Sequence, residues 1–268
     1  MAKSKFFQIG WAAVLAFAMG IWCAASAETG AGATSLRYEE PVFLSGLIYA
    51  RGADTNNILF RFQRTATRTG DTLNVRRDFT YPDGKLAAQE RAIYEGNELV
   101  FYVLKELQIG AGGSAKIRHD RSKPGKGIIE FEYTGEAGSR AKTHTEDLPE
   151  NALIGDMVGP FLVAHWDVLA RGDKVKCRYL VVPRRETVGF TFVKDKNTSY
   201  QGQGAILVRM EPSSRLLSAL VDPLFFTIET NSPHRVWSYS GRTTPKIRSG
   251  NKWKDLDATT VFDWETAR

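Results

Sequence analysis

Apolar and polar residues alternate with a period of two through most of this 268-residue chain, the pattern of strands that bury one face. "SGLIYARG", "NILFRFQRTATRTG" and "TLNVRRDFTYPDG" follow one another between residues 45 and 84. Tyr81-Pro82-Asp83-Gly84-Lys85 predicts a turn, because proline presets one dihedral and Asp-Gly supplies the reversal. "LAAQERAIYEGNELVFYVLKELQIG" continues the meander, with a second turn at Glu95-Gly96-Asn97. "GAGGSAKIRHDRSKPGKG" reads as loop-rich with a short strand at "AKIRH", and "IIEFEYTG" as a further strand.

The centre changes period. Phe161, Leu162, His165, Val168 and Leu169 recur at helical spacing. Pro160 suits the first turn of that helix and Gly172 the position just past its end. Strands resume as "KVKCRYLVVP", "ETVGFTFVKD" and "AILVRMEP". In "PSSRLLSALVDPLFFTIETNSPHRVWSYSG" (212–241), Ser213 or Ser214 can cap a short helix with Leu216, Leu217 and Leu220 on its apolar side. Asp222-Pro223 ends that helix, "LFFTIE" forms a strand, and "TNSPH" turns it into a hairpin. "ATTVFDWE" closes the chain. The pattern predicts a mainly β protein: a curved antiparallel sheet, half-barrel or open barrel, with one central and one short helix packed on it. Antiparallel pairing is expected because most connections are too short for parallel crossovers.

The N-terminus bears on compartment. Lys3 and Lys5 precede an uncharged apolar run, Trp11 to Trp22, and Ala25-Ser26-Ala27 supplies small residues for cleavage. Residues 1–27 are expected to be a cleaved signal peptide, 28–35 a flexible leader and 36–268 one strand-rich domain. The apolar run is shorter than the roughly 20 residues a spanning helix needs, so no stable transmembrane segment is expected after cleavage. Trp22 before Cys23 argues against lipidation. The expected location is the periplasm.

Beyond residue 27 the chain keeps one cysteine, Cys177, so no internal disulfide can form there. Its place in "KVKCRYLVV" suggests a structural thiol on a half-buried strand. The formal net charge of +6 includes Lys3 and Lys5. Basic residues cluster in "KIRHDRSKPGK" (116–126) and "TTPKIRSGNKWK" (243–254). Such segments are either solvated loops or contacts for anionic headgroups and glycans. An exported chain without a recognition motif makes nucleic acid a poor partner.

Chemistry-bearing motifs are sparse. The sequence holds no Gly-x-Ser-x-Gly, P-loop, His-Glu-x-x-His or Cys-x-x-Cys, and its four histidines lack metal-ligand spacing, so no cofactor or metal is expected. His165 reads either as a helix residue at the core's edge or as a general base oriented by Asp156 or Asp222. Arg184 and Arg185, between two strands, would face opposite ways if the strand continues, and one could meet an anionic headgroup. Adjacent Phe225 and Phe226 must point to opposite faces.

From about Asp78 onward the chain resembles a family of uncharacterised secreted proteins of Gram-negative bacteria. The resemblance rests on "DFTYPDGK", "FLVAHWDVLARGDKVKCRYLVVPRRET", "PSSRLLSALVDPLFFTIE" and "VWSYSGRT". It implies no activity, and its strand pattern is distantly similar to periplasmic lipoprotein carriers of the LolA and LolB type. The function expected is therefore a periplasmic binding or envelope-maintenance protein, not an enzyme, holding a lipid-like ligand between sheet and helices. Phe161, His165, Trp166, Leu216, Leu220, Phe225 and Trp237 are the expected lining, with Arg184 or Arg185 near a headgroup. The alternatives are a hydrolase or lyase of an envelope polymer using His165 with a carboxylate, and a structural partner of another envelope protein.

Overall fold

Strand order in space is strand order in the chain. The computed structural model describes residues 42–52, 57–136, 138–214 and 222–267. Eight strands run first: β1 (Phe43–Ala50), β2 (Ile58–Thr69), β3 (Thr72–Thr80), β4 (Leu86–Glu95), β5 (Glu98–Glu106), β6 (Ala111–His119), β7 (Gly127–Thr134) and β8 (Lys142–Asp147). A two-residue strand, β9 (Ala152–Leu153), leads through a 3-10 turn (Gly155–Met157) into helices α1 (Val158–Ala164) and α2 (Trp166–Arg171). Then follow β10 (Val175–Val181), β11 (Glu186–Tyr200), β12 (Gln203–Pro212), β13 (Leu224–Glu229), β14 (Val236–Ser249) and β15 (Lys252–Asp263). All join one sheet in the order β8 to β1, then β15 to β9. Among the described residues every ladder is antiparallel except the short β9–β10 pair.

Among the described residues no ladder joins β8 to β9, so the sheet is open, yet it must curl. Fifteen strands about 4.8 Å apart would span roughly 67 Å if laid flat. Only residues 148–151 separate the end of β8 from the start of β9, a reach of at most about 19 Å. The two edges therefore lie near each other, and the backbone N–H of Thr187 at the start of β11 donates to Glu146 of β8 at 3.0 Å. The mainly β, curved antiparallel architecture expected from the alternation is the one observed.

Alternation decides which face turns inward. On β2, Phe60, Phe62, Arg64 and Ala66 are buried, while Arg61, Gln63 and Thr67 face water. Phe62 pairs with Phe79 across the β2–β3 ladder at 5.5 Å. Hairpins β2–β3, β4–β5, β11–β12 and β14–β15 close over two residues each. Gly96 and Asn97 hold φ of 66° and 137°, the positive values such tight turns demand.

The helices fill the inside of the second half. Phe161, Leu162 and Leu169 pack with Phe192, Val208, Phe226 and Ile228, burying each of those helical side chains completely. The single central helix expected from the spacing is two short ones, broken at His165 (φ −107°, ψ 18°), and Gly172 ends the second at φ 92°. Beyond β10 the turn at Val182–Arg184 presses on the first half. A Cβ on Gly113 of β6 would lie 2.9 Å from Val182 and 2.8 Å from the backbone of Tyr133, so glycine permits this approach. The short helix expected at 213–220 and the segments 1–27 and 28–35 lie outside the described residues, apart from Ser213 and Ser214.

Candidate functional site

The interior carries more charge than a strand-rich core needs. Arg64 of β2 and Asp156 of the 3-10 turn form an ion pair at 2.8 Å, 3% and 1% exposed. Tyr94 of β4 donates to the same carboxylate at 2.9 Å. Burial first, and then the Asp156 charge, push the Tyr94 hydroxyl well above its usual range. Beside it Arg77 of β3 pairs with Glu90 of β4 at 2.5 Å and lies over Phe62, 5.2 Å from its centroid. Burial opposes the Arg77 charge, but Glu90 and Asp156 more than offset it, so its pKa rises. Gly155 makes room here: a Cβ would collide with the Arg77 guanidinium and come 3.1 Å from the Tyr179 hydroxyl. Tyr102 and Tyr179 are raised by burial and then by Glu90, and Tyr239 by burial and then by Tyr179.

A two-stranded arm reaches over this network. β14 pairs with β13 only as far as Ser240, and β15 meets β1 only from Ala258. Between them, residues 242–257 continue as a hairpin with no further ladder among the described residues. A register break between Thr243 and Lys246 accommodates Pro245, which has no N–H to give a ladder. The break sends the arm to the other half of the sheet, where the Thr244 hydroxyl donates to Glu90. Gln108, in the β5–β6 turn, accepts from the Lys246 N–H at 2.7 Å and donates to the Lys246 carbonyl at 2.9 Å. The Lys246 ammonium meets Glu106 at 3.1 Å and Asp255 at 2.8 Å. Burial works against that charge, and the two carboxylates outweigh it, raising the Lys246 pKa.

Beneath the arm lies a groove of about 400 Å³, open to solvent, within the usual size range of small-molecule sites. Ile58, Leu59 and Phe60 at the start of β2 and Tyr81 in the β3–β4 turn form one wall. Lys246, Ile247 and Arg248 of β14 and Trp253 of β15 form the other. Apart from Lys246 and Arg248 the lining is apolar or aromatic, and Arg248 sits over the Trp253 ring at 5.9 Å.

Of the residues singled out in the sequence, Phe161 and Trp166 share one core cluster and His165 packs on Phe161. Phe161 is fully buried, 5.7 Å from Phe192. His165 is half-buried at the joint between α1 and α2, its Nδ1 2.9 Å from the Phe161 carbonyl and its ring 4.2 Å from the Phe161 ring. Asp156 is engaged by Arg64 and Tyr94, and Asp222 lies 3.7 Å from Arg51. Trp166 stacks on His234 at 3.9 Å, and Trp237 is buried edge-on to Tyr200 at 4.7 Å. Phe226 points into the core and Phe225 to the opposite face, beneath Arg51 at 5.8 Å. Leu216 and Leu220 lie outside the described residues.

Arg184 and Arg185 do not alternate on a strand. Arg184 ends a 3-10 turn and Arg185 takes φ 59°. Arg184 is exposed and pairs with Glu186. It lines a second cleft, about 350 Å³, with Arg178, Thr187, Gly189, Ser213 and Ser214. Arg178 is committed there to Thr187, donating to its hydroxyl at 3.1 Å and its carbonyl at 2.7 Å. No group of three or more His, Cys, Asp or Glu suited to a metal occurs among the described residues, nor any helix long and apolar enough to cross a membrane.

The groove under the arm was not anticipated, because "TTPKIRSGNKWK" reads as a basic loop. The available signal was alternation around Ser249-Gly250-Asn251, a hairpin turn flanked by Ile247 and Trp253. Comparison of the chain with protein-family models, with curated proteins and with solved structures found no match.

Proposed function

We propose that this is a non-catalytic binding protein of the periplasm that holds an apolar or amphipathic ligand on its curled sheet, in the groove beneath the β14–β15 arm. The observation carrying the reading is the largely apolar groove itself, one wall of which is an arm pinned at Glu90, Glu106 and Gln108. Exposed Arg248 at the rim favours an acidic headgroup. The chemistry of the interior supports holding over turnover, since Glu90 and Asp156 already carry strong cationic and hydroxyl partners.

Titration with a fluorescent long-chain fatty acid, together with native mass spectrometry, tests the reading. Saturable binding is expected, weakened at least tenfold by Ile247→Glu, which puts a charge into a half-buried position of the groove. A ligand-free mass combined with no saturable probe binding would sink it.

A further inference from the structure

The face of the sheet turned away from the cores carries a buried carboxylate. Ile206, Val208 and Ile228 point into the core of the second half, so Ala205 of β12 and Glu229 of β13, paired across that ladder, face outward. They are nonetheless 1% and 7% exposed. Tyr200, at the end of β11, lies on the same face, two residues beyond Thr198, the partner of Ala205. On β14 a bulge pairs Val236 with Ile228 and Ser238 with Thr227, which leaves Trp237 as the extra residue and re-aims its ring. β12 and β13 lie between β11 and β14, a gap of about 14 Å. The Tyr200 and Trp237 rings still meet at 4.7 Å and 71°, so both lean over the Glu229 end of those two strands and make an aromatic corner there. Tyr49 of β1 stands close by: burial first, and then this neighbour, raise the Tyr200 hydroxyl pKa. Tyr49 and Trp237 are buried yet belong to none of the three apolar cores. The Glu229 Oε2 is buried and accepts no hydrogen bond among the described residues. Arg235, which pairs with Glu229 along the backbone, is exposed and turns instead to the Trp264 ring, 6.0 Å away.

We propose that Glu229, Tyr200 and Trp237 form a binding site for a primary ammonium group on the outer face of the sheet. Three features select that chemistry. A buried carboxylate without a donor bears its desolvation uncompensated, and a cation beside it offsets that cost. The faces of tyrosine and tryptophan attract a cation lying within about 6 Å of the ring centre. The unused acceptor at Oε2 calls for a ligand with an N–H to give, which a primary ammonium has and a quaternary one lacks. An aromatic corner serves either cation; the orphaned oxygen decides between them. Tyr200 is half-buried and borders the two-residue turn Gln201-Gly202, so its ring is the wall that swings aside for entry. The site shares no residue with the groove beneath the arm and does not rest on the reading of that groove. A soluble amine and an ethanolamine headgroup both carry the required ammonium.

Two-dimensional NMR of the tryptophan indole N–H groups, with the Trp237 signal assigned from Trp237→Phe, tests the proposal on the full chain. Ethanolamine is expected to shift that signal saturably, and ethylene glycol to leave it in place. Choline should bind about tenfold more weakly, since its nitrogen has no hydrogen to donate. Glu229→Gln keeps the shape of the side chain and should weaken ethanolamine binding about tenfold. Because the carboxylate oxygen has no native donor to lose, the Tm of this variant should be equal or higher, which separates lost binding from lost folding. Tyr200→Ala, at the half-buried rim, should weaken binding about fivefold through the missing ring. Choline binding as tightly as ethanolamine, an undiminished Glu229→Gln variant, a response matched by sodium chloride, or no saturable shift overturns the proposal. Sedimentation with phosphatidylcholine vesicles, with and without phosphatidylethanolamine, separates the two sources of the ammonium. Capture that needs phosphatidylethanolamine and is lost in Glu229→Gln assigns a lipid headgroup; saturation by ethanolamine without capture assigns a soluble amine.

Discussion

Replacing Asp156 with alanine should destabilise the protein by about 4 kcal/mol. The carboxylate is 1% exposed and its partner Arg64 3% exposed, so the substitution takes a counter-charge away from a deeply buried guanidinium. Removing one member of such a buried pair costs roughly 3–5 kcal/mol. The Tyr94 hydroxyl, 2.9 Å away, loses its acceptor as well. Because Asp156 follows β9 at one edge of the sheet while Arg64 and Tyr94 belong to β2 and β4, the pair clamps the two halves together. At roughly 3 °C per kcal/mol for a domain of this size, thermal unfolding followed by circular dichroism should show Tm lower by about 12 °C. The apolar replacement Arg64→Met/Asp156→Leu/Tyr94→Phe should recover most of that loss, since it exchanges the whole buried polar trio for apolar side chains of similar volume. A loss below about 1 kcal/mol for Asp156→Ala, or a triple variant no better than the single one, would refute the reasoning.

Tyr94, Tyr102, Tyr179 and Tyr239 make stability fall at high pH. Burial holds each above the ordinary value near 10, so their contribution is complete below pH 10 and is lost as pH rises beyond it. Each can cost up to about 1.4 kcal/mol per pH unit; urea midpoints at pH 9 and 11 should differ clearly, and equal midpoints would contradict this. For Cys177, burial pushes the thiol up to about 12, so iodoacetamide at pH 8.5 should leave its peptide unlabelled in the native protein and label it fully in urea. Native labelling at an ordinary thiol rate would show that β10 does not bury it.

The strands that alternate cleanly were legible from the sequence because each buries one face and wets the other. β2 and β3 are read directly from Phe60, Phe62, Ala66, Leu73 and Val75. Phe225 and Phe226 divide between faces as their adjacency demands. Where both faces are polar, the signal fades: β8, "KTHTED", is exposed almost throughout, and the N-terminal half of β6 is "AGGS", whose Gly113 answers to Val182 across the interior rather than to strand propensity. The arm was missed for a related reason. Pro245 and a run of cations argue for a loop, although the local β14–β15 ladder makes the segment a strand pair, and its docking depends on contacts more than 100 residues away, with Glu90 and Gln108. The ionic interior was hidden likewise, since nothing local marks Arg64 as inward except its place between Phe62 and Ala66.

The union of β1 with β15 has a consequence for how the chain assembles. Every other ladder joins consecutive strands, so both halves can zip by hairpin extension at small loop-closure cost. The β1–β15 ladder alone must wait for partners some two hundred positions apart in sequence. A circular permutant linked from β15 into β1 and opened within residues 148–151 would make that slow pairing a local hairpin as well. Such a chain could grow from any strand outward, and contact-order reasoning makes it the faster folder of the two.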